Sequence, residues 1–117
     1  MCLVSKWRFP KKADRDIVCY KVLRQSSFGR WITPFRWTLV TLDNYLVAKK
    51  CKTFSILNPY AKGAGYIHAY FDEEYIHFNL PTERVFIAII PKGTKYHISK
   101  DGEICAKKMF ITNEQFD

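Results

Sequence analysis

The chain has 117 residues, of which 48% are apolar and 16% aromatic; this is enough for the core of one small domain and excludes an intrinsically disordered chain. Residues 1–52 carry 12 Lys or Arg against three acids, a net charge of +9, whereas residues 53–117 carry −1, so we expect one cationic face. The longest stretches without a charged residue span nine positions, as at Thr53–Ala61, which excludes a transmembrane helix, and the lack of an apolar leader predicts a cytoplasmic protein.

An N-terminal arm is predicted over residues 1–16, where aromatic and basic residues alternate and Pro10 prevents a continuous helix. A single domain is expected over residues 17–112, followed by a polar, frayed tail over residues 113–117. The domain begins with Ile17–Leu23, whose β-branched and aromatic residues predict a strand.

The middle of the chain predicts further extended segments at Trp37–Thr41, Tyr45–Ala48 and Tyr66–Phe71. Tyr45–Ala48 is also compatible with a short helix. After Phe71, Asp72 is expected to cap a short helix, because the acidic residues that follow suit the positive end of a helix dipole.

The apolar run Val85–Ile90 predicts a central strand that is buried on both faces. We expect this strand to pair with Ile17–Leu23. Together these two segments form the centre of the predicted sheet.

A hairpin is predicted near the C-terminus, where Lys95–Ile98 and Ile104–Ala106 flank Asp101-Gly102, two residues that tolerate positive φ. Lys108–Ile111 is expected to extend its second arm. The predicted fold class is therefore α+β: one small domain with a mixed or antiparallel sheet, short helices and a C-terminal β-hairpin.

Metal and disulfide chemistry are not expected, because cysteine and histidine are scattered without the short spacings of zinc sites. The residues concerned are Cys2, Cys19, Cys51, Cys105, His68, His77 and His97. Cys19 and Cys105 lie in apolar strand-like segments, so we expect buried free thiols there. No cofactor-binding motif is present, and no cofactor is predicted.

His68 is the candidate for orienting a ligand or for acid–base chemistry, because it is flanked by aromatic residues on a short extended run after a glycine turn, and histidine is the side chain that serves as acid or base near neutral pH. Tyr70 and Glu103 are possible partners, Glu103 through its place after the Asp101-Gly102 turn. The alternative is a buried imidazole bonded to backbone, with Glu103 as an exposed hairpin residue.

Short segments over most of the chain resemble a set of small uncharacterised proteins of anaerobic gut bacteria and their phages. The segments that carry the resemblance are Tyr20–Arg24, Thr33–Phe35, Gly65–Tyr70, Ile90–Tyr96, Asp101–Ile104 and Met109–Ile111. The resemblance implies a bacterial or phage-related origin and brings no assigned function with it.

The order of these segments is also distantly similar to ADP-ribosyltransferase-type folds. That likeness implies a nicotinamide pocket lined by Arg24 on the first strand, by His68 with Tyr70, and by the late carboxylate Glu103. The chain departs from the pattern, since it has no Ser-Thr-Ser motif and His68 is not on the first strand.

Basic and aromatic residues interleave in the first half, a pattern suited to single-stranded nucleic acid, since cations track phosphates while aromatic faces stack on bases. The candidates are Lys6, Trp7, Arg8, Lys11, Lys12, Arg30, Trp31 and Arg36. Alternatively the tryptophans are core residues. The leading prediction is a non-enzymatic binding or accessory module for nucleic acid or an acidic protein; the alternative is a small nucleotide-binding or ADP-ribosyltransferase-like protein with a cleft near His68.

Overall fold

Antiparallel strands account for almost all the regular structure in a computed structural model that describes residues 11–34, 38–48, 66–77, 82–99 and 102–116. In these residues nine strands form one sheet. The strands are β1 (Lys11–Lys12), β2 (Ile17–Gln25), β3 (Trp31–Ile32), β4 (Tyr45–Val47), β5 (Ile67–Tyr70), β6 (Glu83–Ile90), β7 (Lys95–Ile98), β8 (Glu103–Ala106) and β9 (Lys108–Gln115).

The predicted α+β class is wrong, because in the described residues the one helical element is a single 3-10 turn, Glu73–Tyr75. Asp72 caps this turn as predicted, accepting a hydrogen bond from the backbone N of Glu74 at 3.0 Å. The turn stops because Ile76 returns to extended backbone and packs against an apolar cluster of the sheet. No helix among the described residues is long and apolar enough to cross a membrane.

The sheet closes on itself because β8 and β9 are separated by Lys107 alone. The strand order is β1-β7-β8-β5-β2-β6-β9-β4, with β3 paired to β2. β5 and β6 both pair with β2, while β5 also pairs with β8 and β6 with β9. These four pairings join β8, β5, β2, β6 and β9 in a line. Lys107, which connects β8 to β9, completes a ring with an inner face and an outer face.

The inner face carries the main hydrophobic core, contributed by strands from all around the ring. Its side chains alternate with outer ones along each strand, as the pleat requires. They include Cys19, Leu23, Leu46, Ala88, Ile90, Ile104 and Met109, each no more than 1% exposed.

The predicted pairing of Val85–Ile90 with the first strand is confirmed, with Ile17 opposite Ile90 and Val22 opposite Val85. Burial on both faces is only partly confirmed. Ala88 and Ile90 are fully buried on the inner face, whereas Ile87 and Ile89 on the outer face are half-buried.

The predicted hairpin is confirmed as β7 and β8, with His97 opposite Cys105. Gly102 has φ +79, and a Cβ placed there would lie 2.6 Å from the ring of Tyr75, so glycine is required on two counts. The expectation that Lys108–Ile111 extends this hairpin is wrong, because the chain bends at Lys107 and β9 pairs instead with β4 and β6.

Two other predicted strands are confirmed as β4 and β5. Of the predicted strand Trp37–Thr41, residue 37 lies outside the described residues, and the described remainder forms a single bridge from Leu39 to Ile32. The predicted tail begins too early, since β9 runs through Gln115. Phe116, the next residue, still bonds to β6, because its backbone N donates to the O of Val85 at 2.8 Å.

Parts of the other sequence predictions also fall in the described residues. In the predicted N-terminal arm, β1 pairs with β7, while residues 1–10 lie outside the described residues. Cys19 and Cys105 are buried free cysteines in β2 and β8, as predicted. Burial raises the pKa of the Cys19 thiol to about 12, so this thiol behaves as a small apolar side chain.

We expect Ile90→Ala to lower the free energy of unfolding by about 2–5 kcal/mol, because it removes a fully buried side chain and leaves a cavity in the inner core. Val18→Ala, at a position that is 56% exposed on the outer face, is the matched control and should cost about 1 kcal/mol or less. Urea unfolding measures both. Equal losses would mean that the inner face is not the main core.

Candidate functional site

The structure brings together two of the candidate catalytic residues. Tyr70 on β5 lies directly opposite Glu103 on β8, and both point to the outer face. His68 lies two positions before Tyr70, opposite Cys105, and is half-buried. Arg24 lies near the far end of β2, opposite Glu83 and Ile32.

Tyr70 is buried, and its surroundings keep the phenol neutral. Burial, followed by the charge of Glu103, raises its pKa, and Glu83 adds to this, while a hydrogen bond with the backbone of His77 opposes it. A neutral phenol beside a carboxylate is a hydrogen-bond donor, and it does not titrate near neutral pH.

Lys21 is a buried charged residue that the sequence analysis did not single out. It lies on the inner face of β2 and is 7% exposed. Its Nζ donates a hydrogen bond to the carbonyl O of His68 at 2.6 Å. Tyr20–Tyr70 is the register pair that joins β2 to β5 in the described residues, so this ammonium adds a second link between the two strands.

Burial lowers the pKa of Lys21 from 10.5 to about 8, although the negative charge of Glu83 raises this pKa and so opposes the shift. A perturbed lysine marks a reactive site when it faces a cleft. A cavity whose lining includes Leu23, Trp31 and Phe86 has neither Lys21 nor any candidate catalytic residue in that lining. The hydrogen bond from Lys21 to the O of His68 fits a structural role, in which the ammonium joins β2 to β5.

Metal binding also lacks support in the part of the chain that the structure describes. No three His, Cys, Asp or Glu side chains converge there as ligands. His97 is fully buried and lies against the ring of Tyr66, with centroids 5.7 Å apart, so it belongs to an outer-face cluster with Tyr66 and Cys105.

The predicted nucleic-acid-binding residues occupy several places. Lys6, Trp7, Arg8 and Arg36 lie outside the described residues. Lys11 and Lys12 are exposed on β1, and Arg30 is exposed but donates from Nη2 to the O of Val40 at 3.1 Å. Trp31 is half-buried with its ring 4.8 Å from that of Phe86, which agrees with the alternative that the tryptophans are core residues.

A row of lysines crosses the sheet at the bend between β8 and β9. We call it the lysine row: Lys12, Lys95, Lys107 and Lys108. Lys12 lies directly opposite Lys95, and the backbone N of Lys107 donates to the O of Lys95 at 3.1 Å. No ion pair within the described residues neutralises any of the four side chains, which concentrates positive charge along a few strand spacings of about 5 Å each.

Next to the lysine row, aromatic and aliphatic side chains cross the outer face in register. We call them the outer strip: Tyr45 on β4, Phe110 on β9, Ile89 on β6 and Val18 on β2, each opposite the next. Tyr45, Phe110 and Ile89 are half-buried. The Tyr45 and Phe110 rings are 5.2 Å apart, and Lys108 Nζ lies 4.4 Å above the Tyr45 ring.

Most of these residues are not among the candidates that the sequence predicted. Lys95, Lys107 and Lys108 belong to the half of the chain whose net charge is −1, so counting by halves hid them. A usable signal was present: Lys95 begins a predicted strand, and Lys107-Lys108 follows another. Only their pairing places them beside Lys12.

We expect the contribution of Lys21 to the stability of the protein to rise with pH between about 8 and 10.5, the folded pKa of Lys21 and its ordinary value. In this window the unfolded chain keeps the Lys21 proton that the folded chain has lost, so raising the pH favours folding. Lys21→Met should remove this contribution, measured as the difference between wild type and variant in urea unfolding at the two ends of the window. Lys12→Met, at an exposed lysine, controls for the lost charge. Parallel pH profiles for wild type and Lys21→Met would contradict the lowered pKa.

The chain matches no protein-family model, no curated protein and no solved structure. The resemblances noted from the sequence therefore stay predictions, and what the protein does must be inferred from the geometry of its own side chains.

Proposed function

We propose that the protein is a non-enzymatic binding module that holds single-stranded nucleic acid across the lysine row and the outer strip. The observation that carries the proposal is the lysine row, in which Lys12 and Lys95 lie directly opposite each other next to Lys107 and Lys108. The phosphates of a nucleic-acid strand would neutralise the positive charge of the lysine row.

Electrostatics supports a polyanionic ligand. Like charges placed opposite each other on neighbouring strands destabilise a sheet, so the Lys12–Lys95 pair costs stability in the free protein. A bound phosphate backbone removes this repulsion and releases condensed counterions, which is the main source of affinity for nucleic acid. The overall charge of +8 favours association with the same ligands.

The outer strip supports a single strand over a duplex. Tyr45 and Phe110 place two aromatic rings next to Lys108. Lys108 covers one face of the Tyr45 ring in the free protein, and a phosphate that draws this ammonium away leaves that face to a base. Bases stack on protein rings only when they are exposed, as they are in single strands. An acidic protein suits the lysine row but does not need the rings, which is why we favour nucleic acid.

Removing one lysine of the row should weaken binding and its salt dependence together. For Lys95→Gln, we expect the slope of log K against log salt to become shallower by about 0.7, the contribution of one phosphate contact in a single strand. The measurement is fluorescence anisotropy of a short labelled oligonucleotide between about 50 and 200 mM salt.

Arg30→Gln is the matched control for this experiment, because Arg30 is an exposed cation on the β2–β3 turn and not in the lysine row. A loss of affinity in Arg30→Gln with none in Lys95→Gln would place the interface elsewhere. Equal binding of polyglutamate and the oligonucleotide would favour an acidic protein partner.

Removing the ring at Tyr45 should weaken binding without changing the salt slope. Tyr45→Leu keeps an apolar contact with Phe110 but removes the stacking surface, which is worth about 1–3 kcal/mol per base. The same anisotropy titration measures the loss, with circular dichroism to show that the variant is folded. Unchanged affinity in Tyr45→Leu would contradict a role for the outer strip.

A further inference from the structure

A cleft opens at one end of the inner face, where β3 and the turn before β4 meet the last part of β9. Its lining includes the apolar residues Leu23, Trp31 and Phe86, and three residues with amide side chains, Asn44, Asn113 and Gln115. Its cavity volume is about 210 Å³. The cleft therefore combines an aromatic wall with hydrogen-bonding side chains.

A β-bulge in β9 shapes this cleft. Between the register pairs Phe86–Gln115 and Ala88–Ile111, the single residue Ile87 of β6 faces three residues of β9, Thr112 to Glu114. Thr112 holds the bulge in place, since its Oγ1 donates to the O of Ile87 at 2.6 Å and accepts from the N of Glu114 at 3.3 Å. Bulges of this kind redirect side chains and occur next to binding sites.

Among the residues that line the cleft, Asn113 and Gln115 are exposed and Asn44 is half-buried. None of the described residues forms a hydrogen bond to the side-chain amide of Asn44, Asn113 or Gln115. Each amide offers both a donor and an acceptor, the combination that pairs with the edge of a nucleobase. Half-buried Trp31 lies beside them, held edge-on by Phe86.

The size of the cleft suits one planar ring system. A protein cavity of about 150 Å³ accommodates benzene, so about 210 Å³ leaves room for a single heterocycle with its exocyclic groups. A whole nucleotide does not fit, so the sugar and phosphate would stay outside, within reach of the surface.

The cleft and the outer strip are neighbours across the edge of the sheet. Asn44 in the cleft precedes Tyr45 in the strip, and Ile111 in the cleft follows Phe110 in the strip. Among the described residues β4 is the last strand of the sheet, and the path from one face to the other runs around it. On the turn before β4, the Leu42 side chain is 96% exposed and offers an apolar contact along this route.

We propose that this cleft binds one unstacked nucleobase of the strand held by the lysine row, and that its amides select among bases; this inference rests on the proposed function. The strand runs over Tyr45 and around β4, and one base enters the cleft against Trp31. Asn113 and Gln115 bond to the hydrogen-bonding edge of that base, while its phosphate stays in solvent.

The test compares homopolymeric single strands of thymidine, cytidine and adenosine in the anisotropy assay. The wild-type protein should prefer one base by at least tenfold. Asn113→Ala and Gln115→Ala should each reduce that preference, because each weakens binding of the preferred homopolymer more than binding of the others. Glu114→Gln, on the same bulge but outside the cleft lining, should change affinity for all homopolymers alike.

The outcomes separate this inference from the proposed function. Equal binding of all homopolymers, or a preference that survives both amide variants, overturns the cleft as a base site while nucleic-acid binding stands. If no oligonucleotide binds, free nucleosides are titrated while the side-chain amide signals are followed by nuclear magnetic resonance. Shifts at Asn113 and Gln115 would then retain the cleft as a heterocycle site and overturn the proposed function. No shifts would overturn both.

Discussion

The bend at Lys107 is the constraint on which the rest of the molecule depends. Its backbone N donates to the O of Lys95 at 3.1 Å, and its O accepts from the N of Ala48 at 2.8 Å. The start of β7 and the residue that follows β4 therefore both bond to this single residue. The change of direction turns what would be one long strand into β8 and β9, and this closes the sheet. Without it, the residues of β9 would extend the hairpin and leave the inner face open.

Closure explains how the described strands bury a core with a single 3-10 turn as the helical element among the described residues. Each strand of the ring turns one row of side chains inward, where Leu23, Ile90 and Met109 become fully buried. Hydrogen bonds along β2, β6 and β9 satisfy the backbone of these buried strands. The poorly paired contact is β2 with β5, and there the buried ammonium of Lys21 bonds to the O of His68.

The same closure separates the chemistry of the two faces. The outward rows carry Tyr45, Phe110 and the exposed lysines at the bend, and the inward row at the end of β9 meets the cleft. A ligand that uses both must be flexible and must carry planar groups and negative charge. Single-stranded nucleic acid has all three properties, which is why the lysine row, the strip and the cleft point to one ligand class.

Local sequence determined most of the longer strands and the capped turn at Asp72, because alternation, β-branching and capping act over a few residues. It missed the two-residue strands β1 and β3, which exist only through their pairing with β7 and β2. It also determined that Cys19 and Cys105 are buried and that Gly102 allows the hairpin turn. It did not determine the fold class, since the short helix expected after Asp72 is a single 3-10 turn. Nor did it determine the topology: whether Lys108–Ile111 prolongs a hairpin or crosses to β6 depends on a bend whose bonds join residues far apart in the chain. The tertiary structure also decided the lysine row. Lys12 and Lys95 are 83 positions apart in sequence and become neighbours only through the pairing of β1 with β7.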